Sequence, residues 1–227
     1  MTAAGIRARN RAAIESEILR IGREHLGRYG AAALSLRAVA RDLGMASSAV
    51  YRYVESRDEL LTRLIITAYD AMADRVEAEL AALPASATGA RRFRAIAVAS
   101  RAWAKDNPHE YALIYGSPVP DYDAPAERTT TAGTRIPYLL VGVLAGLEAR
   151  DPGTPADRRA MAVMLQDPMF AASGLTAGTV RRGMTAWMLV LGAINAELFE
   201  MFGPDTITDW DALFGAVVDS AMQIVEG

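Results

Sequence analysis

Cysteine is missing from this chain, and with it disulfides, thiolate metal ligands and a cysteine nucleophile. Histidine is nearly missing. His25 and His109 fall in different segments, where a structural part for the first and a helix-start position for the second are the expectation. Long apolar runs are missing too. The longest charge-free stretch, Gly183 to Ala196, has 14 residues, short of the roughly 18–20 that span a bilayer. Arg7, Arg9 and Arg11 have no apolar run behind them, so no secretory signal is expected. No G-x-S-x-G, Walker-type loop, H-E-x-x-H or Asp-rich helical metal motif occurs. The glycines of "GVLAGLEARDPG" lack the strand-turn-helix context of a dinucleotide loop. A soluble cytoplasmic chain with no cofactor, no metal site and no enzymatic activity is therefore expected.

What is present favours helices. The 227 residues suit one or two domains, and 52 % are hydrophobic, many of them Ala, Leu, Val and Met. The net charge of -3 is unevenly spread. Residues 1–60 carry ten arginines against seven acids, a net of +3, which leaves -6 on the remainder. A basic head on an acidic body suggests that the head alone meets a polyanion. An ordinary fluctuation of surface charge is the competing explanation.

Apolar spacing then places the elements. Ile14, Ile18, Ile21 and His25/Leu26 share one face of a first helix that Gly30 can end. Ser35 can cap a second, carrying Leu36, Val39, Ala40 and Leu43. Gly44 breaks it, and a third short helix is expected from Ala46 or Ser47 to Val54. Ser56 and Glu59 form an S-x-x-E capping box that opens a fourth helix, reaching to about Ala82. Further helices are expected over about 89–106, 108–115, 127–150 (kinked at Pro137), 155–166, 176–202 and 209–225, with residues 116–125 as a loop. No strand-like alternation and no repeat is visible, so the fold class is all-α.

Residues 35–54 have the length and punctuation of a helix-turn-helix. On a helical wheel Ala46, Ala49, Val50 and Tyr53 form one side of the third helix, and Ser47, Ser48, Tyr51 and Arg52 the other. The outward set suits a DNA groove. Small hydroxyls allow close approach, Arg52 and Arg37 can pair with guanine, and Tyr51 and Arg57 can reach phosphates. An ordinary helical hairpin with a solvated polar face remains the alternative on spacing alone.

"LSLRAVARDLGMASSAVYRYVESRDELL" resembles the DNA-binding head of the tetracycline-repressor (TetR) family of bacterial regulators. The resemblance lies in Leu43-Gly44, the Tyr51/Tyr53 pair, and Ser56, Arg57, Glu59 and Leu60 at fixed spacing; it covers roughly residues 10–65. It implies an N-terminal three-helix DNA-binding domain (1–57) followed by a helical body (58–227) that dimerises and binds a small effector. One departure stands out: Ala46 occupies the usual capping hydroxyl position, so that Ser47 would cap instead and shift the helix start by one residue. The body resembles, on fewer residues, the subgroup named for a Trp-His-Gly motif, through Trp187 and Gly192, with Leu191 at the histidine position.

The aromatics of the body suit the wall of a small-molecule pocket, with core packing as the plainer explanation. Met72, Phe93, Trp103, Tyr111, Tyr115, Tyr138, Trp187 and Asn195 are the candidate effector contacts, and their few charges point to a largely apolar ligand. The last two helices carry Met184, Trp187, Met188, Leu191, Leu198, Phe214, Val217, Val218 and Met222, enough apolar surface for a homodimer interface of four helices. Double-stranded operator DNA, near-palindromic, is then the macromolecular partner, with no membrane partner. The competing reading is a helical enzyme or small-molecule-binding protein whose head only resembles a DNA reader.

Overall fold

The protein is described here by a computed structural model covering residues 3–146 and 151–226. Helices, turns and irregular connections account for the described residues, with no strand among them. They cluster into two units.

The first unit comprises residues up to Ala71 and Asn107–Gly133. Helix α1 (Ala3–Tyr29) buries Ile18, Ile21, His25 and Leu26. It stops at Gly30, whose φ of 74° favours glycine. A 3-10 turn (Ala31–Ala33) leads to α2 (Leu36–Asp42). Ser35 takes the N-cap position of α2 but makes no side-chain cap hydrogen bond, contrary to the expected cap. At the other end Gly44 (φ 66°) closes α2: its N–H bonds the Arg41 carbonyl at 3.0 Å and that of Met45 bonds Ala40 at 2.9 Å. That pair of bonds is a Schellman motif. α3 (Ser47–Val50) is shorter than expected. Residues 51–53 wind on as a tighter turn, with Tyr53 N bonded to Val50 O at 2.9 Å. Just beyond α3, the Arg52 carbonyl accepts Arg11 Nη2 at 3.3 Å.

α4 (Arg57–Ala81) gives its residues to Ala71 to the first unit and the rest to the second. Ser56 Oγ accepts Glu59 N at 3.0 Å, one half of the expected capping box. The Glu59 carboxylate bonds Arg63 and Arg128. α6 (Pro108–Tyr115) has the expected bounds and packs against α1. Gly27 eases the contact, because a Cβ there would stand 3.0 Å from His109 Cδ2 and the imidazole would have to give by a few tenths of an ångström. A strap, residues 116–125, and α7 (Ala126–Gly133) complete this unit.

The second unit holds the rest of α4, α5 (Gly89–Asp106), α8 (Arg135–Ala145), α9 (Pro155–Ala160), α10 (Pro168–Ser173), α11 (Ala177–Leu198) and α12 (Trp210–Glu226). The single kinked helix expected over 127–150 is two helices parted at Thr134, and its end, 147–150, lies outside the described residues. Pro137 has no N–H to offer the Gly133 carbonyl one turn back, which favours the interruption. The helix expected to reach Gln166 stops at Ala160, and a 3-10 turn covers Met164–Gln166. α10 was not expected. Its signal is local: Asp167 caps Met169 N at 2.9 Å and Pro168 holds the first position. α11 starts just after the Thr176 cap but ends at Leu198, short of Phe202, where Glu200 and Gly203 adopt positive φ. It packs along α12, and both meet α5.

Candidate nucleic-acid interface

α2, the Gly44 turn and α3 assemble on a core of Leu36, Val39, Ala40, Val50 and Val54, joined by Leu60, Leu61 and Leu64 of α4. His25 is buried and holds Asp42 through Nε2–Oδ2 at 2.7 Å, tying α1 to the end of α2. That bond, reinforced by Arg41, keeps the Asp42 carboxyl below its usual range. With Val50 anchored inward, Arg37, Ser47, Ser48, Tyr51 and Arg52 are all exposed. Tyr51 shows 45 % of its surface, unusual for a tyrosine with no partner on that side to cover it.

Two details correct the expected wheel. Ala46, placed with the packing set, is exposed and holds the N-cap position without a side-chain bond; Ser47 is the first helical residue, not the cap. The N-cap of α3 makes no side-chain bond to the first backbone N–H groups, at the two serines.

Arg57 is placed differently from the other five. Its Nη2 donates to the carbonyls of Ala31 and Ala32 at 3.2 and 3.3 Å, so the guanidinium braces the turn between α1 and α2. The sequence reading passed over Arg7, Asn10 and Arg11. They line a shallow cleft with Ile14, Arg52 and Tyr53. Arg11 lies 5.4 Å from the Tyr53 ring centroid and is braced by Glu15 at 2.9 Å. The basic run at 7, 9 and 11 was the available signal, but the meeting of α1 with the end of α3 was not visible in it. Chemically, the surface offers an exposed hydroxyl-bearing helix face flanked by fixed cations, the donors that position a phosphate backbone and read base edges.

The expected effector residues fall in both units. Tyr111 (buried) and Tyr115 belong to the first, their ring centroids 5.3 Å apart, and Tyr115 meets Tyr69 edge-on. Burial pushes all three phenols above their ordinary range. Met72, Phe93 and Trp103 are buried in the second unit, where Tyr138 bonds Asp167 Oδ2 at 3.0 Å and Trp187 and Asn195 are half-buried. Each unit has a cavity. The first unit's, about 250 Å³, lies between α4, α6 and the strap. The second unit's, about 170 Å³, is apolar and includes Leu140, Val141, Val180, Met184 and Trp187 in its wall. Of the eight candidates only Trp187 lines either one. Among the described residues no cluster of three or more His, Asp or Glu could hold a metal, and no helix is long and apolar enough to cross a membrane.

The fold, headed by a helix-turn-helix with an exposed polar face, is that of a helix-turn-helix transcriptional regulator. Residues 18–64 match the family model for bacterial regulatory proteins of the tetR family, and residues 93–221 match that for the tetracyclin repressor-like C-terminal domain. The chain belongs to the TetR family. It is 42 % identical over 217 residues to the HTH-type transcriptional regulator Rv1816 of Mycobacterium tuberculosis, covering 93 % of this chain and 92 % of that one. The regulator Mb1846 of Mycobacterium bovis shows the same identity and coverage. Among solved structures, the protein SCO4313 superposes with a TM-score of 0.77 at 30 % identity, covering 95 % of this chain and 98 % of that one. The TetR family transcriptional regulator PfmR of Thermus thermophilus shares the fold at a TM-score of 0.55 and 16 % identity, over 91 % of this chain and 97 % of that one. The chain is thus a DNA-binding regulator of a family of regulators, and the enzyme reading falls.

Proposed function

We propose that the chain acts in the cytoplasm as a dimeric repressor on a near-palindromic operator and is released from it by a small, largely apolar effector. The observation that carries this reading is the exposed set Ser47, Ser48, Tyr51 and Arg52 held over buried Val50. Arg37 and Arg52 are the base readers, Tyr51 and Arg57 contact phosphate, and the two serines keep the face low enough to enter a major groove. The head to residue 57 reads DNA, and the body from 58 receives the effector and the second subunit. Met188, Leu189 and Leu213 are exposed on α11 and α12 and supply the dimer face, whereas Phe214, Val218 and Met222 are buried within the unit. Two-fold symmetry then sets half-sites at least about one helical turn, ~34–36 Å, apart.

The test is selection of genomic fragments by the purified protein, followed by salt titration on the recovered site. If each subunit neutralises about four phosphates, log K falls with log[salt] at a slope of roughly -7. A near-palindromic consensus with that slope supports the reading. Affinity indifferent to salt, or recovery of no common site, overturns it.

A further inference from the structure

The first unit's cavity is closed on one side by the strap of residues 116–125, and three features of it bear on its use. Its size comes first. A cavity of ~150 Å³ holds a benzene ring, so about 250 Å³ has room for a fused bicycle or a substituted ring. Second, no Asp, Glu, Lys, Arg or His lines it. The charges that act on Tyr122, from Asp58, Glu59 and Arg128, are already paired, Asp58 with Arg57 and Glu59 with Arg128, so an ion would find no unpaired opposite charge and a neutral occupant is favoured.

The third feature is a donor and an acceptor with unused capacity. Tyr69 Oη reaches only the Ile114 carbonyl, at 3.5 Å, the long limit of a hydrogen bond. Tyr122 Oη lies 2.9 Å from Thr62 Oγ1, whose own proton goes to the Asp58 carbonyl at 2.9 Å. Tyr122 is therefore the donor of that pair, and its oxygen keeps a lone pair free to accept. A loosely held donor and a free acceptor among the lining residues match a neutral group that both accepts and donates, of which a hydroxyl is the most compact. Ile65, Leu113 and Val119 supply apolar wall for the ring.

The same side chains reach the DNA-reading core. Leu113, Val119 and Tyr122 pack against the cluster that contains Val50, Leu60, Leu61 and Leu64. Tyr122 also bonds α4 in its second turn, at Thr62, and Arg128, just past the strap, is paired with Glu59 in the first turn. Whatever wedges the strap outward acts on the support of α3 without crossing to the second unit.

We propose that this strap cavity is the effector site, and that it takes a neutral, compact aromatic molecule bearing a hydroxyl group. The proposal rests on the reading of the chain as an effector-released regulator. Occupancy shifts the strap, and the operator affinity changes by as much as the ligand prefers the shifted state, typically about 5–150-fold.

The test titrates the full-length protein with 2-naphthol, followed by its own fluorescence, beside naphthalene and 2-naphthoate. The wild type should bind one 2-naphthol per chain saturably, naphthalene several-fold more weakly, and 2-naphthoate not at all. Tyr69→Phe should weaken 2-naphthol by about 5–10-fold while leaving naphthalene unchanged, as expected for one lost hydrogen bond rather than a collapsed wall. Val119→Trp, on the strap, should block both. Phe170→Trp, in the wall of the second unit's cavity, should alter neither. Saturable binding that survives Val119→Trp, or that is lost in Phe170→Trp, overturns the assignment of the site. Preference for the carboxylate overturns the ligand class, and absence of saturable binding overturns both. The regulator reading is scored separately by operator binding of the untreated protein, which does not depend on any of these titrations.

Discussion

Arg101 grips Glu197 with two parallel hydrogen bonds, Nε to Oε2 at 2.6 Å and Nη2 to Oε1 at 2.8 Å, and the two side chains are only 11 % and 10 % exposed. The same guanidinium bonds Asp211 at 2.7 Å and lies 4.9 Å from the Phe214 ring centroid, so one side chain of α5 joins α11 and α12. Burial acts to raise the Glu197 carboxyl, but its bonds to Arg101 and Lys105 outweigh burial and hold it below the usual range. Glu197→Gln leaves a largely buried cation with a poorer partner and should destabilise the protein by about 3 kcal/mol, read from denaturant unfolding.

The pH dependence has a defined sign. A carboxylate whose folded pKa lies below its unfolded value of about 4.3 stabilises fully above that value, and the contribution fades as pH falls through the folded one. The wild type should therefore lose more stability than Glu197→Gln on going from about pH 5 to pH 3. Equal losses in the two proteins would exclude Glu197 as the source.

Gly178 sits in the first turn of α11 where no side chain fits. A Cβ there would lie 2.5 Å from the Asp151 carbonyl oxygen and 2.6 Å from Gly153 N, both backbone atoms. Asp151 is itself held by Gly153 N at 2.9 Å and by Arg181 and Arg182 at 3.2 and 2.9 Å, so the loop cannot easily give way. Gly178→Ala should cost about 1–3 kcal/mol. Thermal melting of the variant checks this, and an unchanged melting temperature would mean that the 151–153 loop yields.

Two arginines of the head should separate cleanly. Arg52 is exposed, so Arg52→Ala should leave the melting temperature unchanged, cost about 1–3 kcal/mol of operator binding and relax the preference at one base pair. Arg57 braces the Ala31 and Ala32 carbonyls, so Arg57→Ala should lower the melting temperature as well and weaken all DNA sequences alike. Paired melting and binding curves on point-mutated sites decide both. An Arg57→Ala protein that melts like the wild type would show that its carbonyl bonds contribute nothing to the fold.

Local periodicity and local stop signals were readable in the sequence; bonds between distant segments were not. α5 and α6 run as their apolar spacing and flanking prolines and glycines imply, and the Gly44 closure needs only the residues beside it. The outward side of α3 was equally legible, because burying Val50 fixes where its neighbours point. The length of α3 was not, and neither was the bond from Arg11 to the Arg52 carbonyl across 41 residues. Nor was the bracing by Arg57 or the closure of the strap through Tyr122 and Thr62, 60 residues apart. In the body, composition indicated aromatic and apolar side chains but not which of them would be consumed by the core, and Tyr111, Phe93 and Met72 were.

Gly192 offers the sharpest probe of the dimer. It is exposed on α11, and a Cβ built on it meets nothing within 4 Å, so the chain itself has room for a side chain there. Met188, one turn earlier, is 57 % exposed, and Leu189 and Leu213 add apolar surface on α11 and α12. If a second copy packs on this face, Gly192 is where its helix approaches most closely. Gly192→Trp should then keep the melting behaviour of an isolated subunit while weakening the dimer by about 2–4 kcal/mol, the scale of a disrupted interface centre. Sedimentation at micromolar concentration should show the wild type at twice the 24.3 kDa chain mass and the variant shifted toward a single chain. Operator affinity should fall with it, because each head alone holds only half of the phosphate contacts and half of a symmetric site. A variant that remains fully dimeric and binds DNA like the wild type would place the dimer contact on another face.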